Sequence, residues 1–227
     1  MTATPATSSP AFCDTREMVM IHTFVRREFR LAAGVVRRVE EGDTARARVV
    51  ADHLEFIGRF LHHHHTVEDE LLWPKMLERV PEELAPIVHL MESQHEGVDA
   101  LLGRIDGLLP QWRETASAAL RDELSGCYEE LYVGLAEHLD AEEQRLLPLV
   151  ERCITVEEWN QLGDEGRRRG RRNEMALVLG MFAYEGDPEV VDGLLAKAPL
   201  PVRVVVPRLA RRAFRRHARA VYGTVMP

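Results

Sequence analysis

One segment of the chain occurs twice. HHTVEDELLWP at 64–74 aligns with HLDAEEQRLLP at 138–148, so that His64 matches His138, Glu68 matches Glu142, Asp69 matches Glu143, Leu72 matches Leu146 and Pro74 matches Pro148, at an offset of 74. Residues four apart lie one above the other on a helix, so each His-x-x-x-Glu presents both side chains on one face. Ile57, Phe60, Leu61 and Leu71 share the face of His64; Leu131 and Leu135 share that of His138. An imidazole and a carboxylate on a buried apolar stripe are costly unless paired or metal-bound. The repeat therefore calls for a helical fold in which two similar helix pairs bring these groups into one core.

The rest of the first two thirds fits that demand. Asp14 and Glu17 form a capping pair before Met18, Ile21, Val25, Phe29, Ala33 and Val36, and Glu41-Gly42-Asp43 ends the first helix. Thr44 opens a second helix that runs to about Arg79. Pro81 opens a third, to Gly107, and Pro110 separates it from a fourth, from about Trp112 to Arg152. No sustained period-2 alternation marks a strand. Long helices joined by short connectors predict an all-α, antiparallel up-down-up-down four-helix bundle. His22 and His95, 73 apart, add a lone histidine to each helix pair, His22 beside Met18 and Val25, His95 beside Val88, Met91, Val98 and Leu102.

Charge divides the chain near residue 154. Residues 1–154 carry 16 Lys+Arg against 28 Asp+Glu, net −12, and residues 155–227 carry 13 against 9, net +4. The organisation read from this is a disordered segment over 1–13, the bundle over 14–153 and a helical, basic C-terminal extension over 154–227 that packs on the bundle. Cys13, Cys127 and Cys153 form no CxxC pair, which argues against a Cys-type zinc site and fits a reducing compartment. With no apolar run long enough to span a bilayer and no signal-peptide pattern at the start, the expected location is the cytoplasm.

Four histidines and two glutamates converging in one core call for a cation. Six such ligands are too many for one tetrahedral zinc and too rich in nitrogen for calcium or magnesium. Divided between two metals bridged by the glutamates, they leave positions open for a small ligand, a donor set that suits iron ahead of manganese or zinc. Ferritin-like di-iron bundles use Glu-x-x-His instead. The order His22, His64-x-x-x-Glu68, His95, His138-x-x-x-Glu142, with Leu-Trp-Pro or Leu-Leu-Pro after each pair, resembles the hemerythrin-like HHE cation-binding family over roughly residues 14–152. The resemblance implies an oxo- or hydroxo-bridged pair of iron ions, with His22, His64, His95 and His138 as terminal ligands and Glu68 and Glu142 as bridges.

The chain departs from the oxygen-carrying members. Those have five histidine ligands, including His-x-x-x-His on the third helix, whereas Met91 and Asp99 flank His95 here; they also carry an aspartate five residues after the last histidine, where this chain has Glu143. A more symmetric, carboxylate-richer site points to reaction with oxygen, hydrogen peroxide or nitric oxide rather than to reversible carriage. Enzymatic consumption of peroxide or nitric oxide is one form of this. The other is a non-enzymatic iron or oxygen sensor that signals to a protein partner through the C-terminal extension.

The remaining histidines are read as supporting or structural. His62 falls on a polar face, His63 on a boundary, and His65, near Leu61, Leu72 and Asp69, comes nearest the site as a supporting donor; all three are expected to be replaceable. Asp99 is a candidate extra ligand or proton relay. His53, His89 and His217 fall outside the pattern. In the extension, Thr155 and Glu158 form a capping box, Asp187-Pro188 starts a helix, and LARRAFRRHARAVYG follows breaks at Pro199, Pro201 and Pro207. This basic amphipathic helix is expected to offset the acidic bundle, and no nucleic-acid motif accompanies it.

Overall fold

The computed structural model describes residues 12–82, 85–196 and 199–227. Every element there is helical: α1 (Arg16–Arg37), α2 (Thr44–Leu71), α3 (Trp73–Arg79), α4 (Ala85–Thr115), α5 (Ala118–Ala141), a π-helical turn (Glu142–Leu146), α6 (Leu147–Cys153), α7 (Val156–Arg169), α8 (Met175–Glu185), α9 (Pro188–Leu195) and α10 (Leu200–Tyr222). None is long and apolar enough to cross a membrane. Of the segment 1–13 expected to be disordered, residues 1–11 lie outside the described residues. Phe12 pairs with Thr155 as a single antiparallel bridge, and buried Cys13 donates its N–H to Ile154 O at 3.1 Å.

Several boundaries differ from the sequence reading, each for a local reason. Pro110 does not separate two helices but sits inside α4. The carbonyl it leaves without a donor belongs to Asp106, an exposed residue, while Ile105, Leu109 and Trp112 continue the buried stripe. The break comes at Ala116, which takes a left-handed φ of 46°. Pro207 likewise lies inside α10, over the exposed Arg203. Conversely, the expected second and fourth helices are each interrupted near the repeated glutamate, the second one turn beyond Glu68 and the fourth from Glu142 onward. Leu72 separates α2 from α3, and the π turn separates α5 from α6, with Pro74 and Pro148 in the first turns of the restarted helices, where a missing N–H costs least. The capping box at Thr155 and Glu158 and the Asp187 cap are formed as read.

The four long helices make a closed cycle of contacts: α1 packs on α2 and α5, and α4 packs on the same two. Their buried apolar residues fall into two clusters. One holds Val25 and Phe29 of α1, Leu54 and Leu61 of α2, Val98 and Ile105 of α4, and Leu131 and Leu135 of α5. The other holds Met18, Val67, Leu72, Val88, Met91 and Leu146. Between them lies a layer of buried polar residues: His22, His65, Glu68, His95, His138 and Glu142.

The C-terminal helices join the four long helices through apolar packing and one buried network. α8 packs closely along α10; a Cβ on Gly180 would come within 2.3 Å of Ala210 O, so only glycine permits this approach. Ala210, Phe214, Ala218 and Val221 form the buried face of α10. At its end, His53 Nδ1 meets His217 Nε2 at 3.1 Å, His53 Nε2 meets the Tyr222 hydroxyl at 3.0 Å, and that hydroxyl donates to Glu28 Oε2. Arg27 Nε donates to Glu28 Oε1 at 2.7 Å. With the His217 Nε2–H donating to His53 and the His53 Nε2–H donating to the hydroxyl, the chain from His217 through His53 and Tyr222 to Glu28 runs in one direction, each link with one donor and one acceptor. The charge offset expected to hold α10 to the bundle is absent. Among the described residues, none of the seven arginines of α10 forms an ion pair, whereas Arg167, Arg168 and Arg169 of α7 pair with Asp164, Glu165 and Glu70.

This network makes stability fall in acid. Burial holds the His53 imidazole down to about 3, aided by the Arg27 and Arg46 cations, and burial beside His53 holds that of His217 down to about 4. Below the ordinary histidine range the unfolded chain takes up protons that these two sites refuse, so stability decreases from about pH 6.5 toward pH 4. The loss by pH 5 is on the order of 1–2 kcal/mol per histidine. H217Q should flatten that part of a pH series of urea midpoints; an unchanged slope would show that the network does not couple folding to protons.

Candidate metal centre

The structure brings all six sequence-derived candidates into the polar layer. His22 comes from α1, His64 and Glu68 from α2, His95 from α4, His138 from α5, and Glu142 opens the π turn. The His22 and His64 rings lie 5.4 Å apart, and His95 Nε2 lies 3.2 Å from His138 Nε2. Two nitrogens each about 2.1 Å from one ion at right angles would lie roughly 3 Å apart. Each glutamate reaches one histidine of each pair. Glu142 Oε2 is 3.3 Å from His22 Nε2 and 3.7 Å from His138 Nε2, while the Glu68 oxygens are 3.4 Å from His64 Nε2 and 3.6 Å from His95 Nε2.

These groups are left without protein partners. His22 Nε2, His64 Nε2 and all four carboxylate oxygens of Glu68 and Glu142 are buried with no hydrogen bond. Each such atom costs about 1–3 kcal/mol if left unsatisfied. They are lone-pair donors aimed at one another, which a cation satisfies and a further acceptor does not. Burial, reinforced by Glu142 and Asp69, pushes the Glu68 carboxyl well above the usual range; burial also raises Glu142. Burial beside the neighbouring imidazoles drives His64 well down and His138 to about 2. Neutral imidazoles with free lone pairs are the form that metal ions bind.

The opposite ring nitrogens are fixed by the residues that follow each glutamate. His22 Nδ1 lies 2.9 Å from Glu143 Oε1, and His95 Nδ1 lies 2.7 Å from Asp69 Oδ1. A carboxylate only accepts, so Nδ1 carries the proton in both rings and Nε2 turns its lone pair inward. Arg26 donates to the same Glu143 oxygen at 2.6 Å, and Trp73 Nε1 donates to Asp69 at 2.9 Å. Burial opposes ionisation of Glu143, but the hydrogen bonds from His22 and Arg26 hold its carboxyl below the usual range. Gln94 Oε1 takes the corresponding place at His138 Nδ1, 3.3 Å away.

A family model, the hemerythrin HHE cation-binding domain, matches residues 13–150, which contain all of these positions. The chain belongs to that family. No curated protein and no solved structure matches it. HHE domains bind cations, and the His/Glu groups of this one are placed so that they could hold a metal: His22, His64 and Glu68 each bring a ligand atom within 4.8 Å of the others.

A second such group is His65, His95 and His138, so His65, read from the sequence as a supporting and replaceable residue, lies among groups that could hold a metal. His65 is buried, stacks on His95 at 3.9 Å and stands edge-on to His138 at 5.1 Å, with both ring nitrogens unpartnered. The signal was present in the repeat, where His65 aligns with Leu139, a fully buried core residue. The roles of Asp69 and Glu143 were also visible only as an aligned pair. Asp99, a candidate ligand, instead faces solvent with His62, 3.3 Å away. His89 is exposed beside Glu92.

Two outcomes check this arrangement. D69N and E143Q are each expected to lower metal affinity roughly 10–100-fold while the fold persists, in a competition titration against a chromophoric chelator. H62A leaves affinity unchanged. Equal losses in H62A and D69N would show that metal is held elsewhere.

Proposed function

We propose that the chain is a non-haem di-iron protein in which an antiparallel four-helix bundle, up-down-up-down through α1, α2, α4 and α5, binds a small oxidant at its iron pair. The bundle reading rests on the alternation of the two apolar clusters: α1 and α4 enter from the cluster around Met18 and Met91, and α2 and α5 return toward it. The observation that carries the metal reading is the crossed contact of each glutamate with one histidine of each pair. That arrangement suits two cations, one near His22 and His64 and one near His95 and His138, joined through Glu68 and Glu142. His65 lies with His95 and His138 and would add a third imidazole to the groups that could hold a cation there. Iron fits the mixed imidazole and carboxylate donors ahead of manganese or zinc.

Bound iron would supply electrons and an open position for oxygen, hydrogen peroxide or nitric oxide. The chain's own residues do the rest. Glu143 and Asp69 hold His22 and His95 in the metal-binding tautomer, the two glutamates keep the charge of the ions balanced, and the clusters on either side exclude water. A sensing role is favoured by one contact path. His64 stacks on Phe60, Phe60 and Phe24 pack on Phe182 of α8, and α8 carries α10, so rearrangement at His64 has a packed route to the C-terminal helices.

Metal analysis of freshly purified protein is expected to give about two irons per chain, with E68A or E142A well below that value and H65L, which copies Leu139, losing occupancy while keeping its helical content. Turnover of peroxide or nitric oxide by the iron-loaded chain separates the reactive role from the sensing one. Metal-free protein as stable as loaded protein would remove the proposal.

A further inference from the structure

The arginines of α10 are the largest group of positive charge in the molecule that nothing uses. Arg203, Arg208, Arg211, Arg212, Arg215, Arg216 and Arg219 occupy a helix with no acidic residue, and among the described residues none forms an ion pair. At 100° per residue, the last six fall within about 140° of the helix circumference, opposite the face of Ala210, Phe214, Ala218 and Val221 that packs on the protein. They form one stripe turned to solvent.

An apolar strip borders it. Val202, Val205 and Leu209 are spaced i, i+3, i+7 and fall within about 60° of one another, on the edge beside Arg212 and Arg216. All three are exposed, Val205 at 50% and Leu209 at 53%, and Leu200 and Val204 near the helix start are exposed as well. Nucleic acid would use the arginines but offers nothing to a row of branched aliphatic side chains. An apolar strip beside an arginine stripe is the pattern of a helix lying in the headgroup region of an anionic bilayer, with aliphatic tips among the acyl chains and guanidinium groups on phosphates.

We propose that α10 is a peripheral docking surface for a bilayer rich in anionic phospholipid. The basic run of α7 offers less attraction, because Arg167, Arg168 and Arg169 pair with Asp164, Glu165 and Glu70. The acidic remainder of the chain, which brings the net charge to −8, orients the molecule with α10 toward the lipid and the bundle away from it. The attachment rests on a part of the chain separate from the metal centre.

The test is co-sedimentation of the full, iron-loaded chain with vesicles of phosphatidylglycerol and phosphatidylcholine, compared with phosphatidylcholine alone, at 0.15 M salt. Binding only to the anionic vesicles is expected. R208Q/R212Q/R216Q should weaken it roughly 100-fold and V205S/L209S about tenfold, with unchanged iron content and circular dichroism. If the triple variant does not fold, R212Q alone should weaken binding roughly fivefold. Absence of vesicle binding overturns the proposal. So does tighter binding to duplex DNA that V205S/L209S leaves intact, or a dimer in sedimentation that V205S/L209S dissociates while vesicles stay unbound, which would assign the face to a second copy.

Discussion

Everything in this molecule is arranged around an electrostatic liability in the middle of its core. Two carboxylates and five imidazoles lie in a layer between two apolar clusters, with eight buried nitrogen and oxygen atoms among them that no protein donor or acceptor satisfies. A hydrophobic isostere at any of these positions would pack more easily. What makes the layer tolerable is the chemistry expected of it: lone pairs held in neutral form by burial are ready to receive a cation, and the cation's charge then stabilises the carboxylates.

Precision in that layer comes from its outer partners. Asp69 and Glu143 are partly exposed, yet each reaches the far nitrogen of a histidine on another helix. Asp69 ties α2 to α4, and Glu143 ties the π turn to α1. The same bonds that set the tautomers therefore also set helix register around the site. The helix break at Leu72 follows Asp69 and the π turn from Glu142 to Leu146 contains Glu143, and Leu72, Trp73 and Leu146 belong to the second cluster beside the site.

The C-terminal helices repeat the principle of separation between packing and charge. α10 is attached by small and aromatic residues, by the close approach at Gly180 and by a buried chain of hydrogen bonds from His217 to Glu28, not by its arginines. Those remain on the outside. Net charge by segment is a poor guide to which faces meet, because attraction between exposed groups is weak against apolar burial and complete hydrogen bonding.

The sequence by itself determined the helical fold and that His22, His64, Glu68, His95, His138 and Glu142 would meet in one layer, because a repeated His-x-x-x-Glu on an apolar stripe has a fixed phase that leaves few ways to bury it. It also carried the outer acids, as the aligned Asp69 and Glu143, without revealing what they touch. Only the tertiary structure decided the partners: which histidine each glutamate reaches, that His65 joins His95 and His138, and that Asp99 turns away to His62. Helical phase specifies a direction on one element, whereas these contacts depend on how far each helix slides and rotates against its neighbours. Pro110 and Pro207 make the same point from the other side. A proline ends a helix in isolation, but the helix runs on where the freed carbonyl belongs to an exposed residue and buried residues follow the proline, as Trp112 follows Pro110 and Ala210 follows Pro207.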